Sequence, residues 1–133
     1  MLLIADSGST KTHWCVIDKN GKKLIQTIGI NPYQMNDIAI KEVLEKELYP
    51  YLSPSSIKDV HFYGAGCSTV QKCNLLDSVL QDFFSDARID VHHDLLGAAR
   101  ALCGHEKGIA CILGTGSNSC YYKIGRASCR ERV

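Results

Sequence analysis

The sequence predicts an α/β domain built on a mixed sheet, with three antiparallel strands leading and helices flanking. Three observations carry this. Two hairpin signals between apolar runs fall in the first thirty residues, two later apolar runs are each followed by a stripe of helical period, and residues 109–113 form a continuous apolar run suited to a strand buried on both faces.

Residues 2–6 and 12–18 read as strands on either side of a Ser/Gly turn, and Asn20-Gly21, the strongest short hairpin signal, leads to a third strand over 23–28. Gly29-Ile30-Asn31-Pro32-Tyr33 is a loop, because Pro32 holds its predecessor extended and cannot continue a ladder. Asn36 can cap a helix carrying Ile40, Val43, Leu44 and Leu48 at helical spacing, ending before Pro50. Val60, Phe62 and Gly64 alternate along a strand over 58–64 that ends in Gly64-Ala65-Gly66-Cys67. The two glycines lack the third of a dinucleotide fingerprint, where Thr69 stands, so close backbone packing explains them better. Ser68-Thr69-Val70-Gln71 reads as a capping box for a long helix with Val70, Cys73, Leu76, Leu80, Phe83 and Phe84 on its core face. A strand over 88–92 and a small-residue helix over 95–102, closed by Gly104, follow; residues 119–123 begin another strand. Adjacent strand residues point to opposite faces, so His92 and His93 do not read as one metal site.

Two turns carry the chemistry. In Asp6-Ser7-Gly8-Ser9-Thr10-Lys11-Thr12 an apolar strand stops at a carboxylate and passes through small hydroxyl residues around a glycine, offering N–H groups and hydroxyls to a phosphate. Asp6 would repel that phosphate unless a divalent cation lay between them, which points to magnesium; the plainer alternative is a Ser/Gly hairpin with Asp6 capping the turn. The pattern returns at Leu113-Gly114-Thr115-Gly116-Ser117-Asn118. Two such turns can hold one polyphosphate from both sides. Asp94, between a strand and a helix, is read either as an N-cap or as a catalytic carboxylate, and Asn31 as a turn former or a polar ligand.

The set Asp6 to Thr12, Gly29-Ile30-Asn31-Pro32, His93-Asp94-Leu95-Leu96-Gly97-Ala98-Ala99 and Leu113 to Asn118 resembles the sugar kinase, heat-shock chaperone and actin superfamily of ATPases. More narrowly, residues 1–122 resemble the N-terminal half of the N-acetylglucosamine kinases, within the BadF/BadG/BcrA/BcrD-type ATPases that also include activators of benzoyl-CoA reductase and 2-hydroxyacyl-CoA dehydratase. The resemblance implies a ribonuclease-H-like (actin-like ATPase) N-terminal domain over residues 1–123 and ATP-dependent phosphorylation of an amino sugar, N-acetylglucosamine, at its 6-hydroxyl.

It also implies the site. Asp6 would order Mg2+ through water; Gly8, Ser9, Thr10 and Lys11 in the first turn and Gly114, Thr115 and Gly116 in the second would hold the ATP phosphates. Asn31, Asp94, Ser117 and Asn118 would hold the sugar, with Asp94 as base. Ser7 and Ser9 stand where glycines are more usual, which would tighten or alter the phosphate approach. The C-terminal domain that completes such a kinase is absent, so the chain is expected to turn over little alone and to self-associate or form a dimer. Two other functions fit the motifs: an activator ATPase with an iron–sulfur cluster, and a non-catalytic sugar sensor.

Composition narrows the classes. The 133 residues are 45% hydrophobic and 22% charged with net charge +1, a balance that argues against nucleic-acid binding, and no stretch is long and apolar enough to span a membrane. The N-terminus lacks a basic, cleavable leader, so a cytoplasmic location is expected. Seven cysteines without a Cys-x-x-Cys pair suggest neither a disulfide framework nor a zinc knuckle. Residues 124–133 carry three arginines against Glu131 and no apolar period, and read as an unstructured or non-native tail.

Overall fold

The computed structural model describes residues 1–104, with Cys103 by its backbone alone, and the backbone of 108–113, 117–123 and 126–132. Strands β1 (Leu2–Ser7), β2 (Lys11–Asp18) and β3 (Gly21–Ile28) form the antiparallel meander expected of the opening residues. Strands β4 (Asp59–Gly64) and β5 (Arg88–His93) add on the other side of β1, parallel to it, giving the order β3-β2-β1-β4-β5. The parallel additions require crossovers, and the intervening helices supply them.

Strand alternation divides the sheet. Leu3 and Ala5 of β1, Trp14 and Val16 of β2, Ile25 of β3, and Val60 and Phe62 of β4 share one buried face. Helix α1 (Asp37–Val43) covers it with Ile40 and Val43, and a π-helical turn, Leu44–Leu48, continues that cover with Leu44 and Leu48. Helix α2 (Val70–Phe83) adds Leu76, Val79 and Leu80. Trp14 is fully buried, 5.7 Å from Phe62 between ring centroids, and its indole N–H donates to Thr27 Oγ1 at 3.0 Å. A buried tryptophan keeps its N–H satisfied this way.

Two helix starts differ from the sequence reading by one residue. Thr69, not Ser68, caps α2, accepting the Lys72 N–H at 3.3 Å, while Ser68 lies 3.4 Å from the Tyr33 hydroxyl. Helix α3 (Asp94–Cys103) begins at Asp94 itself and is capped by His93, whose Nδ1 accepts the Leu95 N–H at 3.2 Å. Val70, assigned to the core stripe of α2, is 77% exposed, because it is the first helical residue and lies beyond the sheet.

A second sheet follows, made of β6 (Gly108–Leu113), β7 (Ser117–Lys123) and β8 (Arg126–Arg132) in that order, all antiparallel. Within the 124–133 segment, expected as an unstructured or non-native tail, Arg126–Arg132 pair with β7 as an outer strand, which is held by main-chain bonds to one neighbour and needs no apolar period. Helix α3 packs on β4 and β5 of the first sheet and on β6 and β7 of the second.

Candidate functional site

The first turn joins β1 to β2 and is closed by Gly8 N–H donating to Lys11 O at 2.9 Å. Ser9, Thr10 and Lys11 are exposed around it, open to an incoming anion. Alternation then separates the two residues before the turn: Asp6 faces away from the core, opposite His13 on β2 and Tyr63 on β4, while Ser7 points into it. Ser7 Oγ accepts the Ile30 N–H at 3.0 Å and lies 2.9 Å from Ile30 O and 2.7 Å from Thr12 Oγ1. Its hydroxyl is therefore withdrawn from the turn, where it ties β1 to the segment after β3.

Three chain segments meet behind that turn. A Cβ on Gly29 would lie 2.4 Å from Gly8 O and 2.6 Å from Ser9 C, so only glycine lets the Gly29 loop back onto the turn. Asn31 Oδ1 accepts the Tyr33 N–H at 2.9 Å, the turn-forming role the sequence allowed. The same oxygen would lie 2.2 Å from a Cβ on Gly66, which holds φ +79°, so the end of β4 and the side chain of Asn31 are in close contact. Ala65 N–H donates to Ser7 O at 2.8 Å and fastens this corner to β1.

Helix α3 brings in Asp94 on the face that Asp6 occupies. A Cβ on Gly97 would sit 2.8 Å from Tyr63 Cγ, and the Arg100 guanidinium donates to the Tyr63 hydroxyl at 2.9 Å, so the helix lies close on Tyr63. The imidazole of His92, beside Tyr63 on β5, stacks on the tyrosine ring with its centroid 5.8 Å away. Burial, and after it the charge of Asp94, push the Asp6 carboxyl above its ordinary range, with His13 opposing. Burial, with smaller contributions from Cys73 and Asp94, pushes the Cys67 thiol up to about 12, leaving it inert at neutral pH.

Asp6, the Gly8 to Lys11 turn, Asn31 and Asp94 thus belong to the rim at the ends of β1, β4 and β5. Gly114, Thr115 and Gly116 of the second turn lie outside the described residues, as do the side chains of Ser117 and Asn118, which open β7. Gly29, Gly66, Gly97, Tyr63 and His93 support this rim without having been assigned a part in it from sequence; the glycines stood within the quoted motifs, but what they approach is set by segments distant in the chain. Among the described residues no group of three His, Cys, Asp or Glu side chains is arranged to hold a metal, and no helix is long and apolar enough to cross a membrane.

The sheet order, the parallel additions beside β1 and the acidic rim beyond their ends define a ribonuclease-H-like domain of the actin-like ATPase kind. Over 96% of its length the chain is similar, at 47% identity and a TM-score of 0.89, to a candidate N-acetylglucosamine kinase from Porphyromonas gingivalis, of which it covers 46%. A second candidate N-acetylglucosamine kinase, from Chromobacterium violaceum, shares the fold at 22% identity and a TM-score of 0.67, matching 98% of this chain and 47% of its own. Over the span shared with the first, the chain is N-acetylglucosamine kinase-like, and it spans about half the length of these relatives. No family model and no curated protein matches it.

Proposed function

We propose that the chain is the acceptor-binding half of an ATP-dependent kinase that phosphorylates the 6-hydroxyl of N-acetylglucosamine. The observation that carries this is the placement of Asp6 and Asp94, far apart in sequence, at one rim: Asp6 is in register with Tyr63 on β4, and the helix that Asp94 opens packs on that tyrosine. The 47% identical relative supports the choice of substrate class.

Asn31 and Asp94 hold the sugar, Asp94 by accepting a hydrogen bond from the 6-hydroxyl. The hydroxyl oxygen forms a bond to the γ-phosphorus, the bond from that phosphorus to the bridging oxygen of ADP breaks, and the hydroxyl proton passes to Asp94 and on to solvent. Phosphoryl transfer asks mainly for alignment and charge stabilisation, so the carboxylate orients the nucleophile and takes its proton late. Gly8, Ser9, Thr10 and Lys11 receive phosphate oxygens through main-chain N–H groups and side chains, with residues 114–116 opposing them. The paired carboxylates suit a hard, oxygen-binding cation, and Mg2+ held by Asp6 through water would neutralise phosphate charge. Ser117 and Asn118 are assigned to the sugar on resemblance.

The test is ADP release with N-acetylglucosamine, and with glucose as control, by this chain joined to the part of the Porphyromonas gingivalis protein that it does not match. Sugar-dependent release that Asp94→Asn lowers by about a hundredfold or more is expected. Equal release with and without the sugar refutes the proposal.

A further inference from the structure

The two carboxylate oxygens of Asp94 are in different situations. Oδ1 is sealed from solvent and has no hydrogen-bond partner. Nδ1 of His93, on a side chain itself four-fifths buried, lies 3.0 Å away and could supply one. That nitrogen is already engaged, accepting the Leu95 N–H at 3.2 Å to cap α3. It cannot do both, since it accepts an N–H only through its lone pair and donates to a carboxylate only when it carries a proton.

The two demands are unequal. An N–H in the first turn of a helix has no intrahelical partner, and losing a side-chain cap costs it one neutral hydrogen bond. A buried carboxylate oxygen without a donor is costlier, and hydrogen bonds to ionised acceptors are the stronger kind. We propose that His93 is a positioning residue for Asp94: its imidazole carries the proton on Nδ1, turns it from the Leu95 cap to Asp94 Oδ1, and leaves Oδ2 to meet the acceptor hydroxyl. A carboxylate free at both oxygens swings about its last torsion, which is broad; one held from inside presents a single oxygen in a fixed direction. His92 cannot substitute, because its ring stacks on Tyr63 and its Nε2 lies 2.8 Å from Asp90 Oδ1.

This inference rests on the sugar-kinase reading, and two measurements on the 133-residue chain keep them apart. Long-range proton–nitrogen NMR spectra of 15N-labelled chain should show His93 Nδ1 as a protonated nitrogen, and Asp94→Ala should move it to the unprotonated position as the cap takes over. N-acetylglucosamine titrated into the same chain should bind about tenfold more weakly to His93→Ser, which retains a capping oxygen but is too short to reach Asp94, with the thermal midpoint unchanged. Nδ1 found unprotonated in the parent chain, or equal sugar affinity in parent and His93→Ser, overturns the inference. A parent chain that shows the Nδ1 proton and its loss in Asp94→Ala, yet binds no N-acetylglucosamine, overturns the sugar reading and leaves the His93 to Asp94 hydrogen bond standing.

Discussion

Burial and the charge of Asp94 hold the Asp6 carboxyl above its ordinary value of 3.8, and His13 offsets only part of this. A carboxyl raised in the folded state favours its protonated form there, so its contribution to stability is complete below the ordinary value and is lost as pH climbs through the raised one. At neutral pH the ionised Asp6 therefore weakens the empty fold. Asp6→Asn is expected to raise the thermal midpoint of the chain at neutral pH, with the advantage shrinking below pH 3.8, while abolishing nucleotide-dependent effects. Paired melting curves across that range check it; a variant less stable than the parent at neutral pH counts against the arrangement. Ser7, beside it, was legible in part. Leu3, Ala5 and Ser7 alternate along β1, and that period already sends the Ser7 hydroxyl inward. Reading Ser7 with the turn rather than with the strand suggested a tightened phosphate approach, whereas its partners, Thr12 and Ile30, come from β2 and the loop after β3.

Elements were read from local rules, which held where local physics decides. The meander, both longer helices and the Gly104 stop came from alternation, helical stripes and glycine placement, and Gly104 does close α3 with φ +57°. The caps slipped where a distant contact intervened. Ser68-x-x-Gln71 fits the capping box as well as Thr69 fits a simple cap, and the Tyr33 hydroxyl beside Ser68 comes from a loop 35 residues earlier. The glycine at 66 shows the same dependence. Its positive φ and the Asn31 side chain against it leave no room for a methyl group. Gly66→Ala should cost about 1–3 kcal/mol by strain and displacement, seen as a lower urea midpoint, and should weaken N-acetylglucosamine binding by moving Asn31. A variant as stable as the parent would mean that this corner relaxes freely.

On the proposed reading, the molecule as a whole is half of a phosphoryl-transfer enzyme. The chain covers 46% of the Porphyromonas gingivalis relative, and closing one domain on another is how such sites exclude water and align reactants. The unjoined chain is therefore expected to release ADP at least about a hundredfold more slowly than the chain joined to the relative's unmatched part, in the same coupled assay. Equal rates would mean that the residues present here suffice. Sequence could reveal this incompleteness only through the resemblance, since composition and core patterning are those of an ordinary domain. The second sheet was half legible: the apolar run of β6 announced itself, but β8 is a charged strand whose main-chain pairing leaves no periodic trace.

Helix α3 starts with the acidic group and lies on strands of both sheets. Any rocking of β6 and β7 against the meander must tilt this one rod, and with it the direction in which Asp94 points. Commitment to the proposed reaction would then be mechanical: Asp94, as the proposed proton acceptor, is aimed by where the second sheet lies against the first, and water reaching a nucleotide before that alignment finds no base to help it.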